Sequence, residues 1–220
     1  MAIKKYYATK DNTISNAFEV NLSTRGTGSN MGAADILETF VIHGQTSASI
    51  DAANAEQSRI IIQFPIDKIS EDMSNGTLPS NSSSIKFYLN MYNAPHGNTV
   101  PLSYSLDICM LSQSWNEGRG LDMDNYSNLG QSNWLSASST SGWVQKGSSP
   151  SNERPGGSFL EGTNASASVF FETGLENIET DISEIVYLWL NGGGAAPNAF
   201  TADNNGLLIK FPDTVVSGTE

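Results

Sequence analysis

Apolar and polar residues alternate without a break from Ile85 to Tyr92. Ile85, Phe87, Leu89 and Met91 share one face; Lys86, Tyr88, Asn90 and Tyr92 share the other. A period of two marks a half-buried strand of an antiparallel sheet. Ile36–His43 alternates in the same way, with Leu37, Thr39 and Val41 against Ile36, Glu38, Phe40 and Ile42. Arg59–Phe64 is a denser apolar run that ends at Pro65, which has no amide hydrogen to give a ladder. Tyr104–Leu111 should turn Leu106, Ile108 and Met110 to the core, and Val169–Phe171 and Gly206–Phe211 complete the strands. One segment has another period. Ile182, Ile185, Val186 and Trp189 fall at i, i+3, i+4 and i+7, the apolar stripe of a short helix. Asp181 is its candidate N-cap, Glu184 stands in capping-box position, and Gly192–Gly194 supply the stop.

Six to eight strands with one short late helix predict an all-β chain. Two packed antiparallel sheets, a jelly-roll-like β-sandwich, suit that count. Residues 1–35 lack clean periodicity and read as an N-terminal arm, loop-like around Gly26, Gly28 and Gly32. Residues 36–220 read as a single β-sandwich domain, since sandwiches of this size commonly stay undivided. Ser70–Ser84 looks turn-rich, with Asn75-Gly76 a tight-turn signal. Near residues 112–157 a long loop insertion is low in apolar content but carries Trp115, Trp134 and Trp143. A structureless loop of that length is uncommon and usually functional.

Charge narrows the partners. The chain of 220 residues carries a net charge of −12, and no basic patch stands out beyond Lys4-Lys5. Nucleic-acid and anionic-membrane binders need clustered Lys and Arg, so neither partner is expected. No apolar run approaches the roughly 18 residues of a membrane span, and MAIKKYY has no apolar core of a secretory signal. Charged residues make up 15% of the chain, against about 25% on average, so the surface is polar but mostly uncharged. Cys109 is the only cysteine, which excludes an intrachain disulfide and reads as a buried thiol.

Candidate chemistry is sparse. His43 and His96 have no second ligand at metal spacing, and no nucleophile elbow or phosphate-binding loop is present. The chain is therefore expected not to be an enzyme and to need no cofactor. Asp122 and Asp124, beside Asn125, offer hard oxygen ligands that suit a structural calcium ion, although the EF-hand spacing fails. Trp134, Trp143 and Tyr126 could stack on pyranose rings if their rings are exposed; packing beneath the long loop is the alternative. Lys4, Lys5, Tyr6, Tyr7 and Arg25 are the arm residues expected to reach neighbours in an assembly.

Two resemblances add to this reading. Ser58-Arg59-Ile60-Ile61-Ile62-Gln63-Phe64, Ile85–Tyr92 and Ser114-Trp115-Asn116-Glu117 occur in order. Asp181-Ile182-Ser183, Trp189, Gly192 and Asn205-Gly206-Leu207-Leu208-Ile209-Lys210 follow. Together they resemble DNRLRE-type domains, related to a carbohydrate-binding-module family. That likeness implies a β-sandwich, a possible glycan ligand, and structural calcium at such residues as Asp11, Asp122, Asp124 and Asp181. The opening KKYYATKDNTISNAF, LSTRGTGSNMGAADILETF, Tyr92–Gly97 and Gly118–Tyr126 are similar to uncharacterised virion proteins of tailed phages, notably marine ones. This second likeness implies location in a virion, with other virion proteins and further copies of the chain as partners. The expected function is non-enzymatic assembly at the neck or collar, on the capsid as decoration, or on the tail. The alternative is a carbohydrate-binding module for host surface glycans.

Overall fold

A computed structural model describes residues 3–43, 55–80, 84–97, 100–123, 131–144, 153–162, 164–191 and 203–217. The strands among them are β1 (Lys10–Ser15), β2 (Val41–Ile42), β3 (Glu56–Gln63), β4 (Tyr88–Met91), β5 (Tyr104–Leu111), β6 (Ser136–Ser138), β7 (Ser141–Gly142), β8 (Phe159–Leu160), β9 (Ser166–Phe171), β10 (Ile178–Asp181) and β11 (Leu207–Lys210). Three short helices join them: α1 (Ile66–Ser74), α2 (Ser183–Leu190) and α3 (Asp213–Ser217). The fold is the expected all-β antiparallel sandwich, built on a curled sheet of seven strands.

That sheet runs β1-β3-β11-β5, with β2 also on β3 and the far edge of β5 shared by β8 and β9. Its three inner strands read Ile60-Ile61-Ile62, Leu207-Leu208-Ile209 and Ile108-Cys109-Met110-Leu111. Runs apolar on both faces must be covered on both faces. Ile60, Ile62, Leu207, Ile209, Leu106, Ile108 and Met110 point into one core, closed by Ile66 and Ile69 of α1, Leu89 and Ile178 of the β4–β10 pair, and Ile185, Val186 and Trp189 of α2. Ile61, Leu208, Cys109 and Leu111 point into a second core, closed by Trp115, Trp134, Ala137 and Trp143. The tryptophan-bearing segment is therefore the second lid of the sheet.

Four expectations need correction. The supposed arm contributes β1, paired in register with β3 from Lys10↔Gln63 to Ser15↔Ser58. KDNTIS has one large apolar residue, Ile14, so hydrophobic periodicity could not reveal it. Ser70–Ser74, in the stretch expected to be turn-rich, instead form the second half of α1, whose Ile66, Ile69 and Met73 all join the first core. Asp181 is not the N-cap of α2: Ile182 is, and Asp181 Oδ1 accepts the Ser183 amide from one residue further out, at 2.9 Å. The chain leaves α2 at Asn191; Gly192–Gly194 lie outside the described residues. Only Val41–Ile42 of the Ile36–His43 stretch pairs as a strand, although the Phe40 carbonyl still accepts the Ser58 amide at 3.0 Å.

Leu208→Ala removes a fully buried side chain from the second core and should cost about 2–5 kcal/mol. Phe170→Ala, on the exposed side of β9, should change stability by about 0.5 kcal/mol or less. Urea unfolding of the two variants checks the contrast.

Candidate functional site

The residues proposed for glycan stacking do not present their rings. Trp143 is 0% exposed and Trp134 7%. Trp143 Nε1 donates to the Asn133 carbonyl at 2.7 Å, and both indoles pack in the second core. Trp134 also lies against the Arg59 guanidinium, whose carbon is 5.0 Å from the ring centroid. Arg59 itself is buried; it donates to the Gly156 carbonyl at 2.8 Å, and burial lowers its pKa to about 10. A sugar could reach these rings only after the lid had left the sheet. Tyr126 lies outside the described residues.

Nor do the acidic candidates converge. Asp122 is half-buried, Asp124 lies outside the described residues, and no group of three His, Cys, Asp or Glu side chains gathers among those described. The Asp11 amide donates to Glu117 Oε1 at 2.9 Å, and burial with the nearby Glu117 charge raises the Asp11 pKa. Asp181 is engaged by Lys86 at 3.1 Å. Burial opposes its charge, yet the Ser183 and Lys86 hydrogen bonds prevail and hold its pKa below the usual carboxylate value.

The assembly candidates divide. Lys4 pairs with Asp72 of α1 at 2.5 Å and the Tyr6 hydroxyl donates to the same carboxylate at 2.6 Å, so both pin the chain's start to its own helix. Arg25 donates to the Asn16 and Ala55 carbonyls at 2.9 and 3.2 Å and stacks on Phe18. Lys5 and Tyr7 remain exposed.

Two buried asparagines hold the lid to the sheet. Asn12 of β1 donates to the Ser132 carbonyl and hydroxyl at 3.0 and 2.8 Å, while its Oδ1 accepts the Met31 amide at 2.8 Å. Asn30 donates to the Glu117 and Ser132 carbonyls at 2.6 and 2.8 Å and accepts the Gly120 amide at 2.8 Å. Gly118, at φ +90°, and Gly120 leave room for this: a Cβ at either position would collide with Asn30. Sequence patterning missed the clasp because polar residues at loop-like positions carry no period.

The exposed apolar residues offer the remaining surface. Tyr92, Leu102, Phe170 and Leu175 are between 61% and 78% exposed. Their segments are tied together at one end of the fold. Asn93 donates to Asn177 Oδ1 at 2.9 Å and to the Gly174 carbonyl at 3.3 Å, and the Ser103 amide donates to the Glu172 carbonyl at 3.1 Å. Glu176 Oε1 accepts the Glu172 and Thr173 amides at 3.1 and 2.8 Å, fixing the turn that presents Leu175. β4 leads directly to this end, and its exposed Tyr88, Asn90 and Tyr92 line one face as the alternation predicts.

Asn30→Ala should leave buried partners unsatisfied, at about 1–3 kcal/mol each, and open residues 112–144 to protease, whereas exposed Asn21→Ala should do neither. Chemical unfolding and limited proteolysis read both effects. The contact between the chain's start and α1 should depend on pH in one direction. Lys4 and Tyr6 lower the Asp72 pKa, so the contact is complete above the ordinary carboxylate value and is lost as pH falls through the lowered one. Protection of the residue 4–8 amides, corrected for intrinsic exchange, should fall across an acid titration, and in Asp72→Asn it should be low and independent of pH.

Comparison with family models, with curated proteins and with solved structures finds no match to this chain, so the reading of its surface rests on the residues themselves.

Proposed function

We propose that the chain is a non-enzymatic structural component of a tailed-phage virion, at the neck, on the capsid or on the tail, working by protein–protein assembly. The observation that carries the reading is the exposed apolar end formed by Tyr92, Leu102, Phe170 and Leu175. Four large apolar side chains exposed on segments that are hydrogen-bonded to one another offer an interaction surface. The chain as a whole is polar and sparsely charged, which suits the wet interfaces of repeated subunits, where many weak contacts add through avidity. The sequence likeness to tailed-phage virion proteins points the same way. Glycan recognition gains no support from Trp134 and Trp143, whose rings are spent on the core.

Replacing Leu102, Phe170 and Leu175 together by serine should leave the fold intact, because all three are exposed. Purified particles from a host supplying this variant should carry at least tenfold less of the chain than particles supplied with the parent. Undiminished incorporation of a folded variant would contradict the reading.

A further inference from the structure

We propose that β4 is a docking edge for a second copy of this chain, pairing antiparallel with its own counterpart in a register centred on Leu89. This rests on the assembly reading above and names one partner, a second copy, at the strand edge that leads to Tyr92.

Backbone parity sets the edge. The Phe87 carbonyl accepts the Ile182 amide at 2.9 Å, and the Phe87 amide donates to Ser183 Oγ at 2.9 Å. The Asn93 amide turns the same way, to Asn177 Oδ1. In an extended chain, alternate residues aim their amide and carbonyl to the same side. Phe87, Leu89, Met91 and Asn93 therefore face β10, whereas Lys86, Tyr88, Asn90 and Tyr92 face away from it. Among the described residues, β10 is the only strand paired with β4, and no backbone hydrogen bond falls on Tyr88 or Asn90 from the other side. An open ladder of this kind templates strand addition.

Natural edges are commonly guarded by charge, proline, bulges or shortness. This one is short, Tyr88–Met91, but carries no charge, proline or bulge within the strand. Ile85–Tyr92 contains no proline and no acid, and its single charge, Lys86, is held by Asp181. In a chain of net charge −12, such a segment spares two copies the repulsion that most of the surface would impose.

The register follows from the same parity. Centred on Leu89, Tyr88 opposes Asn90 of the other copy and Lys86 opposes Tyr92. All four outward residues then find partners. Shifting the centre to Tyr88 or Asn90 leaves outward groups unpaired at one end. A two-fold axis through Leu89 makes the contact isologous and closed, so it gives a dimer rather than a fibre.

Sedimentation velocity on the whole chain should show a dimer dissociating with dilution. Asn90→Pro deletes an outward donor without touching the β10 ladder and should weaken the dimer at least tenfold. Oxidation of a Tyr88→Cys/Asn90→Cys variant should cross-link it, since directly opposed residues lie about 5.5 Å apart between Cα atoms, inside the disulfide range. Asn90→Cys alone should not cross-link; buried Cys109 takes no part. A folded chain that is monomeric at every concentration, or efficient cross-linking of Asn90→Cys alone, would overturn the proposal. A monomer whose incorporation still falls on loss of Leu102, Phe170 and Leu175 would overturn the pairing and leave the assembly reading standing. A dimer that never enters particles would do the reverse.

Discussion

The rest of the molecule follows from three adjacent strands that are apolar on both faces. Ile60-Ile61-Ile62, Leu207-Leu208-Ile209 and Ile108–Leu111 cannot leave either side wet. Fully burying one large aliphatic side chain is worth about 1.5–3 kcal/mol, so two covering layers contribute far more than any surface contact here. One layer is conventional: two helices and a two-stranded sheet. The other is a loop made heavy with tryptophan, because a segment with little regular structure covers area most efficiently with large rings. That requirement buries Trp115, Trp134 and Trp143 in the second core.

A lid with so little ladder of its own needs fastening, and asparagine does it. Asn12 and Asn30 each satisfy donors and acceptors on chain segments that have no strand partner, with Ser132 shared between them. Lys210 adds a second fastening. It is nearly buried and sits 2.9 Å from Asp213, 3.5 Å from Asp107 and 3.7 Å from Glu161, which joins α3, β5 and the turn after β8. Such groups hold geometry more than they add net stability, since desolvation offsets much of a buried charge pair. With both faces of the main sheet closed, the β4 edge and exposed apolar residues such as Tyr92, Leu102, Phe170 and Leu175 lie outside its two cores.

Much of this was legible in the chain. Tyr104–Leu111 was bounded to the residue, and the alternation over Ile85–Tyr92 matches the observed burial position by position. The α2 stripe also lies where its spacing puts it. Less was legible where tertiary contacts decide. β1 is held by backbone pairing and buried polar side chains, which leave no periodic trace. α1 was hidden by its polar composition and by Pro65, although its Ile66–Ile69–Met73 spacing was a usable signal. The length of the loop suggests function, but its three tryptophans carry enough area to make it a covering layer for the sheet. Whether an edge is open depends on the order of strands in space, which no local pattern encodes.

The most direct test of the proposed assembly role is to look for the chain on purified tailed-phage particles, by electron microscopy with gold-labelled antibody against it. The account predicts regular label at one fixed place, at neck, capsid or tail, in the same position on particle after particle. Unlabelled particles, with the chain recovered free from the lysate, would contradict it.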